Sequence, residues 1–141
     1  MMWRIASFTL AGGISAVLGF WVIDRNPPST VIRATVATSD VKPGGDLQVA
    51  YEIVRYRSCR TTINRFLIDS TQARFTLDDL RLAGAPGPLG RDWYITTLPI
   101  PLNFAPGKAR YRVVSSYVCN PIHLISPIIT EARDIEFVVV L

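Results

Sequence analysis

The hydrophobic pattern of the chain changes once, near residue 30. Before that point, residues Ile5 to Ile23 read "IASFTLAGGISAVLGFWVI", nineteen positions without a charge. As a helix they would extend about 28 Å, close to the roughly 30 Å of bilayer hydrocarbon. Trp3 and Trp21 stand near the two ends, where amphipathic rings favour a membrane interface. The following "DRNPPST" ends any helix, because proline lacks an amide donor and clashes with the preceding turn. After Thr30 the long apolar run gives way to short β-rich segments separated by Gly and Pro turns, which predicts a sandwich or barrel. Seven strands are expected, at about 31–38, 46–56, 61–68, 73–82, 92–99, 109–119 and 133–141.

The first segment sets the expected organisation: an anchor over 1–23, a Pro-containing linker over 24–30 and a β-sandwich domain over 31–141. A cleaved signal peptide is the competing reading, and a buried soluble helix the third. The apolar run is longer than an ordinary signal core, and no A-x-A site precedes Asp24, so the uncleaved single-pass transmembrane helix is the expectation. Arg4 is the upstream side-chain charge. By the positive-inside rule it places residues 24–141 outside the cytoplasm, periplasmic or extracellular, with Arg25 opposing that signal. Ser7, Ala11, Ser15 and Gly19 recur every four residues and form one small-residue stripe. Such a stripe either packs a partner helix or reflects the general frequency of small residues in membrane spans.

In the β region, period-2 alternation assigns inward faces. Leu47, Val49, Tyr51 and Ile53 form one. Ile135, Phe137, Val139 and Leu141 form another. Phe75, Leu77, Trp93 and Ile95 are expected to join them. The phase slips near Val54, where Arg55 and Arg57 occupy the inward positions, so a bulge or the end of regular pairing is expected there. In "SYVC", Tyr117 stands two residues before Cys119, as in a tyrosine corner. In architecture the domain therefore resembles an immunoglobulin-like (Greek-key) antiparallel β-sandwich. It departs from the antibody pattern in lacking a Trp on the third strand and in carrying both cysteines at strand ends, and the resemblance extends to no specific family.

Immunoglobulin-like wiring would bring the ends of the second and sixth strands to one pole. A disulfide between Cys59 and Cys119 is then reasonable outside the cytoplasm, with two buried thiols as the alternative. The first strand would start at the same pole, so the short linker would turn that pole toward the bilayer. This gives a reason for the greasy stretch "CNPIHLISPII" at 119–129, which the strand pattern leaves as a loop. Ile122, Leu124, Ile125, Ile128 and Ile129 would enter the interface or meet a membrane partner, with Arg55, Arg57 and Arg60 beside lipid phosphates. Alternatively the loop folds back and caps its own core, or its residues divide between the two tasks.

Composition narrows the function classes. Hydrophobic residues make up 49% of the chain, and the formal charge is only +4, with no charge run of the kind that forms a nucleic-acid tail. His123 is the one histidine. It has no metal-binding spacing around it, and no G-x-S-x-G elbow or phosphate loop is present. Asp78 and Asp79 are adjacent, so on a strand they would face opposite ways and could not act as an acid/base pair. The expectation is a non-enzymatic binding or structural accessory protein of a membrane assembly, with no catalytic residue, metal, cofactor or nucleic-acid partner. The alternative is a secreted or virion structural or adhesion module whose leader is removed. A small metal or catalytic protein centred on His123 is the third.

Overall fold

A computed structural model describes residues 2–38 and 40–141, with side chains described from Gly12 onward. Among the described residues, helix α1, Met2–Ile23, is followed by eight strands: β1 Ser29–Val36, β2 Asp46–Arg55, β3 Arg60–Ile68, β4 Arg74–Leu82, β5 Gly90–Pro99, β6 Gly107–Val118, β7 Ile128–Ile129 and β8 Arg133–Val139. A 3-10 turn, Pro121–Leu124, lies between β6 and β7. Among the described residues no helix is long and apolar enough to cross a membrane. The stripe positions Ser7 and Ala11, like Trp3 and Arg4, lie outside the described side chains.

Two antiparallel sheets face each other. One has the order β1-β2-β5. The other has the order β4-β3-β6-β7, and β8 pairs the lower part of the same β6 edge that β7 pairs above. All seven expected strands exist within a few residues of their expected bounds. The eighth, β7, is two residues of the "loop" that pair with Ser116 and Tyr117.

The core follows alternation on β2, where Leu47, Val49, Tyr51 and Ile53 are all buried, and on β8, where Ile135, Phe137 and Val139 are. Phe75 and Leu77 pack against this core. Two expected inward positions do not. Trp93 and Ile95 are 59% and 63% exposed, and β5 instead buries Leu98 and half-buries Thr96, with Tyr94 stacked on the Tyr51 ring but still 40% exposed. Pairing explains this. β5 runs in unbroken register with β2, Leu98 opposite Leu47 and Ile95 opposite Ala50, so the β2 phase dictates that of β5. Leu141 lies beyond the end of β8 and is exposed.

Of the two outcomes expected near Val54, no bulge occurs in the β2–β5 ladder, but regular pairing does end there, one residue on at Arg55. Arg55 stays in phase, opposite Gly90, and is buried. Its charge is matched by an ion pair with Asp92, which lets the inward face continue through a charged residue. The bulges fall elsewhere. Register shifts between Val31 and Arg33 on β1, and on β4 Asp78 and Asp79 together oppose Asn64. The β4 bulge is held from β3: Arg65 donates from Nε and Nη2 to the Asp78 carbonyl, and Asn64 donates to the Asp79 carboxylate. Asp69, expected only as a turn former, is a buried bracket. Although burial alone would raise its pKa, bonds from Thr71, Ala73 and Ala105 hold its carboxyl below the ordinary value.

The phase of β5 makes a direct prediction. Leu98→Ala removes a fully buried side chain and should destabilise the protein by about 2–5 kcal/mol. Ile95→Ala should change stability by no more than about 0.5 kcal/mol. Chemical denaturation of the two variants checks the assignment, and equal losses would contradict it.

Candidate functional site: the helix pole

The ends of β2 and β6 and the starts of β1 and β3 lie at one pole, and α1 arrives there too. The disulfide Cys59–Cys119 forms there, with its Cα atoms 4.7 Å apart and a sequence separation of 60. Cys59 sits just before β3 rather than at the end of β2. Closing a loop of that length stabilises a fold by about 2–4 kcal/mol, largely by restricting the unfolded chain. Tyr117 and Ile128 pack with the bridge in a small apolar cluster of their own. The Tyr117 hydroxyl reaches Ser29 Oγ at 3.2 Å, tying β6 to the start of β1.

The polar residues of "CNPIHLISPII" do what its apolar residues do not reveal. Asn120 is the N-cap of the 3-10 turn, its Oδ1 accepting from the amides of Ile122 and His123 at 3.0 and 3.3 Å. Its Nδ2 donates at 3.2 Å to the carbonyl of Trp21, in the last turn of α1. His123 is completely buried. Its Nδ1 accepts from the Cys119 amide at 3.1 Å, which places the ring proton on Nε2, and Nε2 then donates to the Asp24 carbonyl at 2.8 Å. A helix ends with carbonyls that have no intrahelical partner, and those of its last turn and the residue beyond find donors here. The lone histidine is thus a satisfied structural group that seats the helix end on the domain.

The linker is bound as firmly. The Asp24 carboxylate takes both ends of the Arg57 guanidinium, at 2.6 and 2.9 Å, and Arg57 also donates to the Asn26 carbonyl. Arg57, through this bonding, holds the Asp24 carboxyl below its ordinary value, against the smaller opposing effect of burial. Arg25 donates to the carbonyl and hydroxyl of Ser126. The amides of Tyr56 and Arg57 both meet the Pro28 carbonyl.

The expected contact residues separate into two sets. Ile128 is buried beside the disulfide, Ile122 is half-buried, and Arg55 is inside the sandwich with Asp92. Leu124, Ile125 and Ile129 are 65%, 88% and 65% exposed, and Arg60 and Tyr56, at strand ends of the same pole, are exposed too. On the helix, Ser15 and Gly19 are exposed, with no other part of the chain within reach of a Cβ added at Gly19. Sequence reasoning missed Asn120 and Asp24. An Asn directly before Pro at a strand end is a cap signal, but its second partner lies 99 residues away. Among the described residues no cluster of His, Cys, Asp or Glu has the geometry of a metal site.

No protein-family model and no curated protein matches this chain. Solved structures that resemble it include the sporulation control protein Spo0M from Bacillus subtilis, at 12% identity and a TM-score of 0.44 over 81% of this chain. Another is the alkylpurine DNA glycosylase AlkC of Pseudomonas fluorescens, solved with DNA containing an abasic site analog, at 10% identity and a TM-score of 0.44 over 79% of this chain. The chain spans 49% and 30% of those two chains, respectively.

The Asp24–Arg57 pair makes stability at this pole depend on pH. Because the folded carboxyl titrates below the ordinary 3.8, its contribution is full above that value and is lost as pH falls through the lowered folded value. Asp24→Asn should therefore lower the melting temperature at neutral pH, and the gap from the native chain should close in acid. A gap that does not change with pH would show that the charge is not what holds the linker.

Proposed function

We propose that this chain is a membrane-anchored, non-enzymatic binding or structural module. In this reading α1 is a single-pass anchor and the sandwich lies outside the cytoplasm as an accessory part of a membrane assembly. The observation that carries it is the uncovered apolar surface of α1. Phe20 is 70% exposed, Ile23 79%, Ile14 53% and Val22 51%, and they do not share one face. A helix apolar on all sides is stable in apolar surroundings. Its 22 residues correspond to about 33 Å, comparable to the roughly 30 Å of bilayer hydrocarbon, and the uncharged run that would cross it starts at Ile5, before the described side chains begin.

The domain geometry supports the same reading. The sandwich is fastened to the end of the helix, so the pole with Leu124, Ile125 and Ile129 would lie at the bilayer surface. Arg25, Arg60 and Tyr56 would ring it at headgroup depth. The disulfide fits an oxidising compartment. We read the fold as an immunoglobulin-like variant in which the fourth strand pairs with the third rather than with the fifth. Removal of a leader at residue 23 would discard the Trp21 carbonyl that Asn120 bonds, which favours the anchored form over a secreted or virion adhesion module.

Two experiments test the proposal. In a native membrane preparation the full-length chain should resist alkaline extraction and should gain two hydrogens in intact mass only after reduction. A soluble chain starting near residue 24 would overturn the anchor and favour the secreted module. Substituting Ser for Leu124, Ile125 and Ile129 together should release crosslinks to lipid or to a membrane partner while leaving the melting temperature unchanged. Ile128→Asp, by contrast, should unfold the pole. Unchanged crosslinking in the triple variant would remove the loop from the contact.

A further inference from the structure

The interior of the sandwich is unevenly filled. Leu47, Val49, Leu67, Leu98, Phe104 and Phe137 pack the half away from the helix, and the disulfide cluster closes the helix pole as a separate unit. Between them lies a cleft of about 130 Å³ whose walls come from both, with Tyr51, Ile53 and Tyr111 on one side and Cys59 and Tyr117 on the other. Protein interiors ordinarily hold few voids larger than a water molecule. A cavity of roughly 150 Å³ is large enough to take benzene.

The walls are aromatic and carry one unmatched positive charge. The rings of Tyr51 and Tyr94 stack with centroids 5.1 Å apart, and the Arg55 guanidinium stands 6.0 Å from the Tyr94 ring. Three arginines line the cleft. Arg55 is neutralised by Asp92 and Arg57 by Asp24. Arg65 meets only the backbone carbonyl of Asp78 and the Tyr111 hydroxyl, and among the described residues it forms no ion pair. Burial pushes the Tyr94 hydroxyl up to about 12 and those of Tyr51 and Tyr111 upward as well, so all three stay protonated and can donate. The loop after β4 supplies another wall through Ala85 and Pro86. It is pinned by the Ala85 amide on Ser58 Oγ, at 2.8 Å, and by Arg55 on the Pro88 carbonyl.

We propose that this cleft binds a small aromatic monoanion, a single ring bearing one carboxylate, with the ring against the Tyr51–Tyr94 wall and the carboxylate on Arg65. The apolar, aromatic lining selects the ring, the volume limits it to one, and the unmatched guanidinium selects the charge. The site is independent of whether α1 spans a membrane.

The test is a ligand-observed NMR titration of the full-length protein in phosphatidylcholine nanodiscs with benzoate, benzyl alcohol and acetate. Melting temperatures are followed in parallel, since a ligand specific for the native state raises them. Benzoate should saturate, benzyl alcohol should bind about tenfold more weakly, and acetate should not bind. Arg65→Gln should reduce benzoate to the benzyl alcohol level, and Thr96→Phe, which fills the cleft, should abolish both. Absence of saturable benzoate binding, equal affinity for benzoate and benzyl alcohol, or undiminished binding by a folded Thr96→Phe variant would overturn the assignment.

Discussion

The carbonyl groups at the C-terminal end of α1 need donors, and the rest of the pole is built around supplying them. Asn120 and His123 meet the carbonyls of Trp21 and Asp24. Both belong to a segment that the Cys59–Cys119 bridge fixes to the start of β3. Arg57 then takes the first carboxylate after the helix. An unpaired buried polar group costs about 1–3 kcal/mol, so these bonds define one orientation of the helix relative to the domain rather than a range of them. The helix end, the linker and the disulfide are one mechanical unit.

That constraint explains the apolar loop. A loop that must seat a helix end has to be buried where it makes contact, and a buried histidine needs walls. Ile128 packs beside the disulfide that holds the start of this loop. Leu124, Ile125 and Ile129 are left outside because the short 3-10 turn and the two-residue β7 turn them away from the domain. The same segment thus carries both an internal cap and an exposed apolar rim, and the rim lies beside an apolar helix that the domain leaves uncovered. Arg25, bonded to Ser126, joins the rim to the linker.

Much of this was legible in the sequence because it is local. Alternation located the strands, and the apolar positions of β2 and β8 reported their faces, since burial on one side of a sheet imposes a period of two. The shared pole and the disulfide were expected on immunoglobulin-like wiring, and the Cys59–Cys119 bridge is present. What was not legible depends on pairing across the chain. The face of β5 is set by its register with β2, and an isolated "RDWYITTLP" offers apolar residues to both sides. The persistence of β2 through Arg55 depends on Asp92, 37 residues on. The role of His123 required knowing that Asp24 would lie beside it, 99 residues away. Polar groups that satisfy one another over such separations leave no periodic trace.

The bonds from Asn120, His123 and Arg57 to the helix end and linker join helix and sandwich at one fixed joint. The most direct measurement is the distance distribution between spin labels at introduced cysteines replacing Val22, at the end of α1, and Leu102, in the loop at the far pole, recorded by double electron–electron resonance. A single narrow distribution is expected, broadening when Asn120 and His123 are both replaced by Ala. A broad distribution in the otherwise native chain would mean that the helix swings freely, and the pole would then not be the fixed joint described.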